Sequence, residues 1–468
     1  MPYNIRIVST YPPRRCGIGT FSRDLATALG HLTAEVGYIR VAAVDNGNGP
    51  YGIPVDLVID QYNPASWADT TKHIITRAGE SSYPTVVILQ HEYGLDPDAG
   101  GNDGRGTNFL DMTKAFQEKG IITLVYLHTI LNEPDPYQKQ MLLDLAKYSD
   151  GLIVTTESAI HILESETYGI EHSKLKHIDH GIRMQHPSQF DRLEIKHALR
   201  IDEHLLVTTL GLLSPDKGIQ YSIRAYGKFL AESCTEAQRK KIVYLIAGQP
   251  HPEFVKADGG RPYAEYKALL EDSLQKANVR WCRTKDLQAT DLDRNDIVFY
   301  DTFIDENTLL KLYGATNMMI LPYLNMQQIS SGILADTVGS GRVAIATKFM
   351  YALELIHSNK KCTPGLIIGK FARGILVDPG EPSVEQIAKA IDYLAFNRGK
   401  RLMMERQAHQ RGYQMRWDNS AWALLQYIDF VREEKEILTG RGVKFDREKP
   451  SILQIEKKRL PIGSAPKA

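Results

Sequence analysis

The sequence predicts an α/β protein made of two doubly wound parallel sheets followed by a helical segment. Three observations carry this. The chain is 468 residues long, more than one hydrophobic core usually supports, so two domains of about 200 residues each are expected. Short apolar runs alternate twice over with stretches of helical period, the pattern of parallel sheets covered by helices on both faces. Between residues 185 and 204 that pattern lapses into a polar connection holding Pro and charge. The expected organisation is therefore a first domain over residues 1–190, a second over 203–398, a helical segment over 399–436 and an extended or disordered tail over 437–468.

Composition narrows the class further. The chain is 43% hydrophobic and 24% charged, with 56 basic and 56 acidic residues. This balance removes any general electrostatic case for nucleic acid or an anionic membrane. The four cysteines, Cys16, Cys234, Cys282 and Cys362, form no C-x-x-C pair, which argues against a structural zinc site or a disulfide framework and favours the reducing cytoplasm. The start, MPYNIRIVSTYPP, lacks the parts of a signal peptide. No run reaches the roughly 18 apolar residues that span a bilayer.

In the first half, residues 5–9 read as a strand and 20–29 as a helix, with Gly17 and Gly19 between them in TYPPRRCGIGTFSRDLATAL. G-x-G is half of a dinucleotide fingerprint. The third glycine is missing and no acidic residue is well placed about 20 positions on, so no nucleotide cofactor is expected. The small residues would still let a phosphate or sugar approach the backbone. Arg14 and Arg15 stand beside them, either as phosphate ligands or as a solvated basic loop. Strands follow at 55–59, 85–90 and 121–127, with helices at 67–78 and 110–118. His91 and His128 fall at the C-terminal ends of two of these strands, where ligands of open α/β sheets collect. The glycine-rich residues 94–106 read as a mobile flap over the same edge. A strand at 151–155, a helix from Ser158 and a strand running to His180 and Gly181 complete the half.

The second half shows strands at 205–210, 242–248, 297–300, 318–322, 343–347 and 374–377. Its first turn, TLGLLSPDKGIQYSIRAY, brings Lys217 and Gly218 to a helix start, as a phosphate contact or as a solvated lysine beside a Pro-initiated helix. The stretch LPYLNMQQISSGILADTVGSGRVAIATKFMYALE reads as a β-loop-α-β unit: a polar turn over 327–332, a short helix over 333–338 and a strand over 342–347. Ser330, Ser331 and Gly332 lie where the helix begins, so free amides and the positive end of the dipole would face an anion. Gln328 precedes the turn and Asp336 follows eight residues on, one to flank each side of such a ligand. The alternative is a well-capped helix between two ordinary strands. Ser383 is expected to cap a helix over 384–397. Residues 400–436 form a long helical pattern with a bend at Asp418-Asn419, and its stripe of Met403, Met404, Tyr413, Trp417, Trp422, Leu425, Ile428 and Val431 needs a partner surface. The tail carries Lys444, Lys449, Lys457, Lys458 and Arg459 among few apolar residues, leaving only a weak membrane or partner contact open.

Taken in order, TYPPRRCGIGTFSRDLA, LVYLHT with His128, HIDHGI, GLLSPDKG, FIDENTLLKLYGATNMMILPY and the β-loop-α-β stretch resemble the GT-B retaining glycosyltransferases of family 4 over residues 3–435. The resemblance implies two Rossmann-like domains facing across a cleft, with the C-terminal helices packing back on the first. It implies an acceptor-binding first domain and a nucleotide-sugar-binding second. Lys217 matches the lysine of the family's G-R-L-x-x-x-K-G motif and would bind the donor diphosphate; the motif's arginine position holds Leu212, so Arg14 or Arg15 would have to supply that charge. Gln328 and Asp336 match the paired glutamates, the first on the sugar hydroxyls and the second on the ribose. Ser330, Ser331 and Gly332 would hold phosphate, Gly17 and Gly19 would make room for the donor, and His128 would face the transferred sugar.

The implied catalytic residues are Lys217, His128 and Gln328. The implied reaction moves a hexosyl group, glucose or mannose type, from a nucleoside diphosphate sugar to a carbohydrate or other hydroxyl acceptor with retention and without a metal. Two D-x-D triplets, at Asp96 to Asp98 and Asp291 to Asp293, point instead to the metal-dependent transferase fold, which two similar domains oppose. A disaccharide phosphorylase of the same architecture and a degenerate, non-catalytic sugar-binding pair are the alternatives.

Overall fold

The computed structural model describes residues 2–97, 104–183, 192–250, 252–356 and 363–438. Two parallel sheets of seven strands form its frame. The first comprises β1 (Tyr3–Ser9), β2 (Val36–Asp45), β3 (Val55–Asp60), β4 (Thr85–His91), β5 (Ile122–Leu127), β6 (Gly151–Val154) and β7 (Leu175–His177), in the order β3-β2-β1-β4-β5-β6-β7. The second comprises β8 (Leu205–Leu210), β9 (Ile242–Ala247), β10 (Trp281–Thr284), β11 (Ile297–Tyr300), β12 (Met318–Leu321), β13 (Val343–Thr347) and β14 (Gly374–Val377), in the order β10-β11-β9-β8-β12-β13-β14. In each the chain starts at a central strand, winds to one edge and returns to wind to the other. The strand order therefore reverses between β1 and β4 and between β8 and β12, and ligand crevices of such sheets open beyond those strand ends.

Burial on both faces explains the near-continuous apolar strands. In β1, Ile5 and Ile7 enter one hydrophobic cluster while Val8 enters the other; in β4, Val86 and Ile88 divide in the same way from Val87 and Leu89. In the second sheet Ile242, Tyr244 and Ile246 face one cluster, and Val243, Leu245 and Ala247 the opposite one. The edges behave differently. Alternate residues of β3 are exposed, and Trp281 of β10 is open to solvent, so these two edge strands are not covered on both sides. Strands β2 and β10 are the two that sequence pattern alone does not announce, because exposure admits charged and polar residues such as Arg40 and Arg283.

Several expected elements shift. The helix after β1 spans Gly17–Gly30, so both glycines lie inside its first turn. The polar connection between the halves contains a helix, Arg192–Ala198, whose Ile195, with Leu199 just beyond it, packs on the second-domain core. The helix after β14 begins at Pro382, and the Ser383 hydroxyl donates to the Gly380 carbonyl at 2.5 Å instead of capping. Residues 98–103 of the expected flap and the tail from 439 onward lie outside the described residues. The described ends of that flap are pinned: the buried Asp96 carboxylate accepts from the Asn108 and Phe109 amides at 3.3 and 3.0 Å, capping the Asn108–Glu118 helix.

The C-terminal pattern is two helices, Arg398–Gln414 and Trp417–Leu438. The break falls at Met415-Arg416, ahead of Asp418-Asn419. There the chain leaves the second domain for the first, and the Met415 carbonyl accepts from the Ile182 amide at 2.8 Å. Asn419 explains the displaced signal: from the first turn of the later helix its amide group caps the Tyr413 and Gln414 carbonyls at 3.0 and 3.1 Å. The earlier helix crosses Gly332–Gly339 so closely that a Cβ on Gly412 would strike the Gly339 backbone. The later helix returns to the first sheet, where Ala421, Leu424, Leu425, Ile428 and Val431 join Ile5, Ile7, Leu25 and Leu29 in one cluster.

Since Ile428 is fully buried at that seam and Trp422 is 45% exposed, Ile428→Ala is expected to cost about 2–5 kcal/mol in denaturant unfolding, the scale of a large-to-small core change. Trp422→Ala, away from the seam, is expected to cost less than about 1 kcal/mol.

Candidate functional site

Loops at both points of strand-order reversal meet in one cleft of about 940 Å³ between the domains. That size is ample for a ligand larger than a simple sugar. From the first domain come the turns after β1, β4 and β5; from the second come those after β8, β9, β11 and β12.

On the first wall, Cys16 in extended conformation starts the Gly17–Gly30 helix. The two glycines separate in role. Nothing lies within 4 Å of where a Cβ on Gly17 would stand, and Gly17 lines the cleft; a Cβ on Gly19 would press on the Tyr11 amide at 3.3 Å, so that glycine serves packing. The two arginines separate as well. Arg14 is committed inward, donating to the Val44 carbonyl at 3.0 Å and to Gln61 at 2.8 Å. Arg15 reaches across the cleft mouth, its guanidinium 4.4 Å from the centre of the Phe303 ring.

The strand-end histidines also part company. His91 points into the first-domain core, without a hydrogen-bond partner and edge-on to Tyr93 and Phe109; burial pushes its pKa down to about 4. His128 lines the cleft. Its Nε2 lies 2.7 Å from the Gln90 side-chain oxygen, which only accepts, so the proton sits on Nε2 and Nδ1 keeps its lone pair. Burial, with His180 and His91 nearby, pushes its pKa down to about 3. His128 is therefore neutral at physiological pH, a hydrogen-bonding group and not a cation.

The second wall holds Lys217 and the start of the Gly332–Gly339 helix. After β8, Gly211 (φ +111°) turns the chain and a short 3-10 turn, Pro215–Lys217, leads to Gly218 (φ +63°), which starts the Ile219–Ser233 helix. The Lys217 ammonium lies 4.0 Å from the Tyr323 ring centre and 3.4 Å from the Asp216 carboxylate. After β12, Ser331 in extended conformation precedes the Gly332–Gly339 helix, and its hydroxyl accepts from the Leu334 amide at 3.3 Å. The first intrahelical bond is Ala335 N–H to the Ser331 carbonyl, so the Gly332 and Ile333 amides stand ahead of the ladder at the cleft. Gln328 donates to the Ser330 carbonyl at 2.8 Å, bracing the turn. Asp336 is nearly buried and accepts from the Arg183 amide at 3.1 Å; burial raises its pKa and Arg183 opposes that.

Sequence reading passed over the residues that join the walls. Arg183 donates to Asp24 at 3.0 Å and faces Glu306 and Asp336. Arg23 pairs with Glu306 at 2.8 Å. The Glu354 carboxylate accepts from the Glu157 and Ser158 amides at 2.9 and 3.0 Å, capping a first-domain helix from the second domain. His180 sits with its Nδ1 2.7 Å from the Gly181 carbonyl and its ring close to Gly332. The Phe21 ring meets His128, His180, Trp417 and Tyr126 edge-on, with centroids 4.9–5.3 Å apart. One signal was available for His180: like His91 and His128 it follows a strand of the first sheet.

Among the described residues no three or more His, Cys, Asp or Glu gather as a metal-binding group. Asp96 and Asp291 of the acidic triplets act as helix caps, Asp291 accepting from the Gln288 amide at 2.9 Å; Asp293 faces His204 at 3.3 Å, and Asp98 lies outside the described residues. No described helix is long and apolar enough to cross a membrane.

No family model matches the chain, and no curated protein matches it. Solved structures do. The HepE protein of Anabaena, in complex with UDP, aligns with a TM-score of 0.63 at 13% identity over 91% of this chain and 100% of its own. Sucrose-phosphate synthase from Thermosynechococcus elongatus aligns with a TM-score of 0.64 at 14% identity, covering 92% and 99%. An α,α-trehalose-phosphate synthase (UDP-forming) from Burkholderia xenovorans, in complex with glucose-6-phosphate, gives 0.61 at 14% identity, covering 92% and 100%. The fold is GT-B. With it, the C-terminal helices return to the first domain as described above, and the cleft between the two sheets is the GT-B interdomain cleft.

Gly218 is the local keystone of the second wall: its φ is positive and a Cβ there would overlap the Pro322 carbonyl oxygen. Gly218→Ala is expected to lower stability by about 1–3 kcal/mol or more, read as a fall in thermal midpoint, whereas Gly17→Ala, open to the cleft, is expected to leave the midpoint within about 1 °C.

Proposed function

We propose that the chain is a retaining glycosyltransferase that moves a hexosyl group, of glucose or mannose type, from a nucleoside diphosphate sugar to a carbohydrate or other hydroxyl acceptor. The observation that carries the reading is the meeting, in one cleft, of Lys217 and the Ser330–Gly332 helix start from one domain with Gly17 and neutral His128 from the other. The GT-B neighbours support it, since one holds UDP and another glucose-6-phosphate in their own sites.

In this reading the diphosphate lies between Lys217 and the Gly332 and Ile333 amides. As the glycosidic bond breaks, negative charge grows on the leaving phosphate, and a cation plus preorganised amides stabilise it without reorganising. His128 accepts at Nδ1 from a hydroxyl of the transferred sugar, and Gln328 offers an uncharged amide beside the same sugar. Asp336, of shorter reach than a glutamate and shared with Arg183, serves the ribose. The acceptor proton passes to the leaving phosphate on the same face, which accounts for retention without a carboxylate nucleophile. No metal or cofactor takes part, and Cys16, Cys234 and Cys282, the unpaired cysteines among the described residues, suit a cytoplasmic enzyme.

Thermal-shift titration with UDP, GDP and ADP, alone and as their hexose conjugates, is expected to raise the midpoint for one nucleotide, by mass action on the folded state. Lys217→Ala is then expected to cut turnover of that donor by about a hundredfold or more. Turnover near normal would remove Lys217 from the mechanism. Phosphate-dependent cleavage of a disaccharide without nucleotide would replace the transferase by a phosphorylase, a reading that Leu212 at the cleft surface motivates by leaving Lys217 as the single cation of its motif.

A further inference from the structure

Leu212 lines the cleft where a second cation would complete the phosphate grip, and Arg14, also on the cleft wall, has its guanidinium engaged by the Val44 carbonyl and Gln61. The cleft nevertheless holds another titratable group that no role has used. His180 follows β7 on the segment that crosses between the domains, and it lines the cleft beside the start of the Gly332–Gly339 helix: a Cβ on Gly332 would stand 3.7 Å from both its Cε1 and its Nε2. Its Nδ1 lies 2.7 Å from the Gly181 carbonyl oxygen, an acceptor only, so Nδ1 carries the proton of the neutral ring. Nε2 is then a lone pair turned to the helix start. Phe21, edge-on at 5.1 Å, and Trp417, tilted at 5.8 Å, hold the ring in that orientation.

A lone pair beside a phosphoryl oxygen is repulsive, and a single added proton converts the contact into a charge-assisted hydrogen bond. We propose that His180 is a further catalytic residue of the transfer reaction, whose Nε2 takes one proton from solvent when a nucleoside diphosphate enters and donates it in a hydrogen bond to the leaving phosphate. The inference rests on the glycosyltransferase reading. It supplies that reading with a second cation, located on the interdomain segment instead of at the Leu212 position. No covalent bond to His180 forms. The acceptor hydroxyl proton still goes to the phosphate, and the imidazole proton returns to solvent when the nucleotide departs.

The surroundings suit a ring that is neutral in the empty cleft and charged with the anion present. Burial holds His180 below the usual imidazole range. Asp336 from the donor-side helix and Asp24 from the Gly17–Gly30 helix favour the cation, Arg183 on its own segment opposes it, and neutral His128 faces it from the turn after β5. An anion placed at Nε2 adds to the favourable side and raises the pKa. The sign of the linkage follows. The complex binds the proton more tightly than the free protein, so affinity is highest below the free pKa and falls as pH rises through the pKa of the complex.

The test is calorimetric titration of UDP, GDP and ADP into the full chain and into His180→Gln, between about pH 6 and about pH 8.5, in buffers of different ionisation enthalpy. The nucleotide's own terminal phosphate titrates in this range in both experiments, so the difference between the two proteins isolates residue 180. The wild-type chain is expected to take up about one more proton per nucleotide than the variant, with an affinity that falls by up to about tenfold per pH unit where the variant's stays flatter. Thermal midpoints of the two proteins within about 2 °C are expected, because Gln keeps a donor group at the cleft wall. Equal proton uptake and equal pH slopes in both proteins would overturn the role of His180 while leaving the transferase reading intact. Failure of all three nucleotides to bind the wild-type chain would overturn both.

Discussion

Arg183 is the interaction on which the arrangement of the cleft depends. It lies on the segment that leaves the first sheet, its backbone amide holds Asp336 of the second domain, and its guanidinium holds Asp24 of the first while facing Glu306. Three carboxylates from three elements converge on one mostly buried cation. Asp336 is nearly buried, and removing a partner from such a group leaves its desolvation uncompensated, an outcome worth several kcal/mol. The two walls are consequently not independent surfaces that happen to face each other. Their separation is set by a charge cluster whose members have few alternative partners.

Around that cluster the fold supplies rigid supports of different kinds. On one side, Arg23 with Glu306 and Arg15 over Phe303 tie the walls near the cleft mouth. On the other, Glu354 caps the Glu157–Glu164 helix across the interface. At the floor, Phe21 orders His128, His180 and Trp417 by edge-on ring contacts, so that an aromatic side chain on the first helix orients two imidazoles and touches the C-terminal crossover together. The crossover itself relies on small residues: Gly339 and Gly412 let two helices approach backbone to backbone, and a Cβ on Gly181 would collide with the Trp417 ring.

The chemistry of the cleft follows from unequal burial of similar groups. His91 ends β4 in register with Leu127, the last residue of β5, and His128 stands one residue further on, so the alternation of side chains turns His91 into the core and His128 into the cleft. Arg14 and Arg15 are adjacent in sequence, yet one is consumed by backbone and Gln61 while the other crosses to Phe303. Pairs such as these are indistinguishable by composition or spacing. Their separation comes from which neighbour fills each side chain's immediate surroundings.

By itself, the sequence determined the two parallel sheets, the helix starts at Lys217 and at Ser331, and the apolar stripe of the crossover. These are local features: periodicity, turn residues and helix caps act over a few positions and are read directly from side-chain type. Strands β2 and β10 escaped because partial exposure relaxes the apolar pattern, and the crossover break was misplaced by a few residues because the capping asparagine, Asn419, lies beyond the end of the helix it caps. Only the tertiary structure decided which histidines meet the cleft, that Arg183 and Glu354 join the walls, and that Gln328 and Asp336 are braced by Ser330 and Arg183. Apart from the local Gln328–Ser330 brace, those contacts bring together residues as much as about 200 positions apart, through sheet topology and interdomain packing, and no local property of the chain encodes them.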